Sequence, residues 1–207
     1  TPTALPIENW QRRIGIVSGH RGYDSGAVCT DIDLTEAEVN YSIAQLVVQK
    51  LRGMRYEVEL LEEFDDRLNG YRAAALLSIH ADSCDYINDI ATGFKVAGAA
   101  SRMSVSPQDQ HLVECLKERY AEVTGLRLHP SVTEDMSYYH TFEEISPRTP
   151  AAIIETGFMY LDRELLTQNP ELVAEGIVEG LLCYLETPIA TPTVPFALPP
   201  TETPSSP

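Results

Sequence analysis

Positive charge is what this chain has least of. It carries 15 Lys and Arg against 31 Asp and Glu, a formal net charge of −16 with a pI near 4.6. That balance speaks against nucleic acid and anionic membrane surfaces as partners, since both repel an acidic protein. No apolar run is long enough to span a bilayer, so direct membrane insertion is not expected. No secretory leader is visible and the chain begins at Thr1, which reads as a mature or trimmed piece of something longer. Cys29, Cys84, Cys115 and Cys183 show no Cys-x-x-Cys spacing, which argues against a structural zinc knuckle. There is also no His-Glu-x-x-His, so a thermolysin-type site lacks its motif.

What is present suffices for a packed core. The 207 residues, 43% of them hydrophobic, fit one domain with tails. Residues 1–11 read as the end of a linker and 12–186 as the folded domain. Thr187–Pro207 is a Thr/Pro/Ser-rich tail with too little apolar surface to bury.

Within the domain, apolar runs predict strands over Gln11–Ser18, Tyr56–Leu61, Ala73–Asp82, Gly93–Ala97 and Ala151–Glu155. Helical spacing predicts helices over Thr35–Leu51, Pro107–Thr124, Leu161–Gln168 and Pro170–Leu185. In the last of these, Leu172, Ile177, Leu181 and Leu182 are expected to face the core. Asp65–Arg72 reads as a short helix or turn. Residues 126–150 read as irregular, with short strands and loops. Thr35-Glu36-Ala37-Glu38 has the capping-box form, with Thr35 as N-cap and Glu38 at N3. Strands alternating with helices give an α/β fold: a single three-layer domain, its mostly parallel or mixed twisted sheet flanked by helices. Ligands in such sheets sit at the carboxyl edge of the strands.

Three apolar strands end in a titratable residue, His20, His80 and Glu155, and Glu36 opens the first long helix. Two histidines and a carboxylate suit a zinc ion with an open position for water. A further carboxylate that does not bind the metal can move the proton of that water. Glu38 is committed to the capping box, so Glu36 is the ligand expected from the helix. If the two loops converge, Cys29 and Cys84 can form a disulfide in an oxidising compartment. For Cys115 and Cys183, small buried thiols are at least as good a reading.

At these residues the chain resembles the zinc-dependent N-acetylmuramoyl-L-alanine amidases of bacterial peptidoglycan (amidase family 3 type). Gly19-His20-Arg21-Gly22-Tyr23-Asp24-Ser25-Gly26-Ala27 resembles the family's opening loop, and the stretch from Glu36 to Ala44 resembles the helix that carries its glutamate ligand. Ser78-Ile79-His80-Ala81-Asp82 resembles Ser-Ile-His-Ala-Asn, and Ile154-Glu155-Thr156-Gly157-Phe158 resembles the strand end with the catalytic glutamate. The sequence departs at Val17-Ser18, where the family has an acidic-Pro pair, and at Asp82. The stretch between Leu61 and Ala74 is short, and no Asn follows Phe158.

The resemblance implies Zn2+ held by His20, Glu36 and His80, with Glu155 as catalytic base and acid. The substrate implied is the amide between N-acetylmuramic acid and L-alanine. Asp82, Tyr139 and His140, with Tyr138 nearby, are candidates to touch substrate. An extracytoplasmic, bacterial-type location and a monomer are expected. Many members of the family carry an extra helix over the zinc; no long insertion stands out here, which points to an open site. Two alternatives remain: a non-catalytic peptidoglycan-binding or activator module on the same fold, and a zinc peptidase or amidohydrolase acting on another amide.

Overall fold

The structure, a computed structural model, describes residues 9–187. Most of the tail expectation therefore lies outside the described residues. Asn9–Arg12 forms a 3-10 turn, where residues up to 11 were expected to end a linker and the first strand was expected to start at Gln11; it starts at Arg13.

In chain order the strands are β1 (Arg13–Ser18), β2 (Val28–Cys29), β3 (Leu34–Thr35), β4 (Glu57–Leu61), β5 (Ala75–Asp82), β6 (Lys95–Ala97) and β7 (Ala151–Phe158). The helices are α1 (Glu36–Gly53), α2 (Ala100–Met103), α3 (Pro107–Thr124), α4 (Glu134–Ser137), α5 (Thr141–Glu144), α6 (Arg163–Gln168) and α7 (Pro170–Glu186). The main sheet has the order β4-β1-β5-β7-β6. Its pairs are parallel except β6 with β7, which is antiparallel, so the sheet is mixed. A two-stranded antiparallel β2–β3 ribbon lies between β1 and α1.

Period-two alternation divides the strands between two cores. Ile14, Ile16, Leu77, Ile79, Ala152 and Ile154 pack with the apolar faces of α1, α3 and α7. Val17, Leu61, Leu76, Ala151 and Ile153 face the other way, onto Leu68, Tyr71, Met136, Tyr139 and Phe142. One flank is thus built of three long helices. The other is built of short turns and helices: the turn expected within Asp65–Arg72 is there, while 126–150, expected to hold short strands and loops, contributes α4 and α5.

Two sequence expectations need correction. Cys115 and Cys183 are not free thiols: they form a disulfide between α3 and α7, as Cys29 and Cys84 form one between the β2 strand and the segment after β5. The two long helices pack closely, and that contact brings cysteines 68 residues apart in sequence to 5.6 Å between Cα atoms. Leu172 does not face the core. It is 40% exposed, and Val173, Ala174, Ile177, Val178 and Leu181 make the buried stripe of α7 instead. Leu182 lies only partly buried against it.

Candidate metal centre

β1 ends at Ser18, and the chain turns at once. The Gly19 amide donates to the Ile79 carbonyl at 2.9 Å, tying the start of the loop to β5. His20 then takes a left-handed φ of 65°, which a non-glycine residue adopts at a cost. The turn aims His20 Nε2 at Glu36 Oε2, 3.2 Å away, while Nδ1 lies 2.6 Å from Asp24 Oδ1. Glycine is required twice here. A Cβ on Gly19 would overlap the His80 ring, and one on Gly26 would come within 2.6 Å of Glu36 Oε2 and 2.7 Å of His20 Cδ2.

Glu36 comes from the first turn of α1, whose start is fixed by the capping box. Thr35 Oγ1 accepts from the Glu38 amide, and Glu38 Oε2 accepts from the Thr35 amide. Glu38 is thereby occupied and Glu36 turns inward to near-complete burial. Its carboxylate is held by the Ala27 amide at 3.1 Å, the Ala81 amide at 3.2 Å and Asn40 Nδ2 at 3.2 Å. Oε1 faces His80 Nδ1 at 3.2 Å.

His80, Glu155 and Lys95 share one register row across β5, β7 and β6, so all three project from the same sheet face. That face carries a cavity of about 540 Å³, lined by His20, Glu36, Glu63, Asp82, Tyr138, Tyr139 and His140 among others. Asp82 pairs with Lys95 on the cavity wall. Tyr139 is buried, its hydroxyl donating to Glu63 Oε1 at 2.8 Å. His140 lies between Glu63 and Glu144, 2.9 Å from each, and stacks on Phe64. Tyr138 is exposed at the rim.

The charges are strongly coupled. A hydrogen bond with Glu36 raises His20 to about 9, against burial, with further help from Asp24. Burial opposes the charge of His80, yet Glu36, Glu155 and Glu63 together hold its pKa up. Burial likewise opposes the charge of Glu36, and the two imidazoles overcome it, holding the carboxyl well below the usual range. Glu155 behaves in the opposite way. Desolvation of its half-buried carboxyl pushes it up to about 7, opposed by the positive charge of His80 and reinforced by the nearby Glu36 and Asp82. Its Oε2 has no hydrogen-bond partner among the described residues.

His20, Glu36 and His80 each offer one ligand atom, all within 4.8 Å of one another, and this group can hold a metal ion. Two imidazole nitrogens and one carboxylate oxygen are a donor set suited to a first-row divalent ion. The sequence reading therefore brought together the residues the fold brings together. It missed Glu63, a buried acid inside the run Glu62-Glu63-Phe64-Asp65-Asp66. The available signal was alternation: Leu61 faces the short-helix flank, and Glu63 continues the same phase two residues on.

A family model described as N-acetylmuramoyl-L-alanine amidase matches residues 14–183. The chain belongs to this amidase family. No curated protein matches the sequence. Among solved structures, an N-acetylmuramoyl-L-alanine amidase from Clostridium difficile 630 is similar at 20% identity and a TM-score of 0.67, covering 86% of this chain and 98% of that one. The amidase AmiC2 of Nostoc punctiforme is similar at 22% identity and 0.63, covering 84% and 97%. The CwlD amidase from Clostridioides difficile, solved in complex with the GerS lipoprotein, is similar at 18% identity and 0.65, covering 85% and 99%. At such identities the amidase structures share the fold with this chain.

Proposed function

We propose that this member of the amidase family is a zinc-dependent N-acetylmuramoyl-L-alanine amidase, with His20, Glu36 and His80 as the metal ligands and Glu155 as the catalytic acid and base. The observation that carries the reading is the pairing of this ligand set with the half-buried Glu155 one strand away in the same register, whose Oε2 is buried with no hydrogen-bond partner among the described residues. Zinc, when bound there, would polarise the scissile carbonyl and acidify a water molecule.

The chain's own groups supply the rest. Glu155 takes the proton of the attacking water and delivers it to the nitrogen of L-alanine as the C–N bond breaks, leaving the lactyl group as a carboxylate. A pKa lifted towards neutrality suits both halves of that transfer, and a bound cation would draw it down. Asp24 orients the His20 ring from its far side. The cavity between Tyr138 and Asp82 would receive the stem peptide and its sugar. All four cysteines are paired, which supports action outside the cytoplasm, where peptidoglycan lies and disulfides persist.

Glu155→Gln tests the assignment. Release of free L-alanine amino groups from purified peptidoglycan should fall by about 100-fold to 10,000-fold, with one zinc per chain retained. Full activity in that variant would refute the role of Glu155. Cleavage of plain peptides with muropeptides spared would refute the cell-wall substrate. Retained binding to peptidoglycan with no cleavage by the wild type would favour a binding module.

A further inference from the structure

The proposed reaction leaves one buried carboxylate of the cavity without a task. Glu63 is 5% exposed, and a buried carboxylate is tolerated only when its charge is matched by hydrogen bonds or opposite charge. Its partners are specific. Oε2 accepts from the backbone amide of His20 at 2.7 Å and lies 3.5 Å from His80 Nε2. Oε1 accepts from the Tyr139 hydroxyl at 2.8 Å and lies 2.9 Å from His140 Nε2. Tyr139 Oη in turn lies 3.3 Å from His80 Nε2. The Glu63 amide donates to the Arg21 carbonyl at 3.1 Å, so main chain and side chain of Glu63 both grip the loop that carries His20.

The two histidines are thus built asymmetrically. His20 presents Nε2 to Glu36 and is held at Nδ1 by Asp24. His80 presents Nδ1 to Glu36, and its Nε2 faces Glu63 and Tyr139. A ligating imidazole whose far nitrogen is anchored has its tautomer and ring plane fixed before metal arrives. Asp24 anchors only one ring. Glu63 meets the ring of one histidine and the strained backbone of the other, so its removal would loosen both at once.

We propose that Glu63 is the positioning residue of the metal centre, fixing the His80 ring together with Tyr139 and holding the left-handed turn of His20 through its amide. The proposal rests on the metal-centre reading above. It concerns how the ligands are held rather than which atoms bind.

The test uses the whole chain and readouts other than turnover. Glu63→Ala removes every carboxylate contact and keeps the main-chain bond to the Arg21 carbonyl. Glu63→Gln keeps the shape but removes the charge, and it can satisfy the His20 amide with one oxygen only. Zinc affinity is measured by competition with a chromophoric chelator, cobalt substitution reports ligand geometry by its visible absorption, and melting of the metal-free protein monitors the fold. Both variants should bind zinc roughly 10-fold to 100-fold more weakly, with an altered cobalt spectrum in the folded protein. Tyr139→Phe should change both readouts in the same direction, less strongly. Wild-type affinity and cobalt spectrum in Glu63→Ala and Glu63→Gln would overturn the proposal. So would weakened binding that merely tracks a smaller folded fraction, with the spectrum unchanged. Wild-type protein that takes up neither zinc nor cobalt would instead refute the metal-centre reading, and the proposal with it.

Discussion

At the scale of single residues the site is a competition between protons and a cation for the same nitrogens. Without metal, Glu36 and Asp24 raise His20 to about 9. A raised imidazole pKa stabilises the metal-free fold fully below the ordinary value near 6.5, and that contribution is lost as pH rises through about 9. Zinc requires neutral imidazoles, so its binding strengthens over the same range. The difference in melting temperature between zinc-loaded and chelator-treated protein should therefore widen from about pH 6 to about pH 8.5. Melting curves across that range check it, and a difference that shrinks with pH would contradict the ligand set. His20, His80 and Glu155 were legible in the sequence because each ends a run of apolar residues. Glu63 was not, because a charged run after a strand has the composition of a solvated surface, and only the closing of the Tyr139 and His140 segment over it makes it buried.

At the scale of elements, α1 has two tasks that share one turn. Its capping box starts the helix at Glu36, and that start fixes which glutamate reaches the histidines. Thr35→Ala should cost about 1 kcal/mol of stability, read as a lower urea midpoint at unchanged slope. Zinc affinity should fall too, because the first turn carries Glu36. A stability loss with full zinc affinity would show that the cap and the ligand are independent. This helix start was readable to the residue, since a cap is a local chemical pattern spanning four positions. The short helices α4 and α5 were not readable. Each has four residues, too few to show a period, and tertiary contacts of Met136 and Phe142 hold them in place.

At the scale of the whole molecule the two flanks of the sheet divide the work. Long helices cover one face and make the larger core, while short segments cover the other and leave room for the cavity. The Cys115–Cys183 disulfide belongs to the helical flank, and neither cysteine lines the cavity. Replacing both with Ser should remove about 2–4 kcal/mol, measured by urea unfolding, with zinc affinity unchanged. Loss of zinc from that folded variant would show that the two flanks are coupled. The pairing could not be read from the sequence, because 68 residues separate the two positions and helical spacing gives no distance between helices.

The sequence by itself determined the strand–helix alternation, the cap of α1 and the segments from which His20, Glu36, His80 and Glu155 come, although β7 runs three residues past Glu155, to Phe158. These are local properties, set by side-chain periodicity, glycine punctuation and capping chemistry within a few residues. Only the tertiary structure decided which nitrogen of each histidine faces Glu36, that Glu155 Oε2 is buried without a hydrogen-bond partner among the described residues, and that Glu63 and Tyr139 lie behind His80. Those facts depend on the parallel register of β1, β5 and β7 and on burial. Both arise from contacts between residues far apart in the chain, which no local pattern encodes.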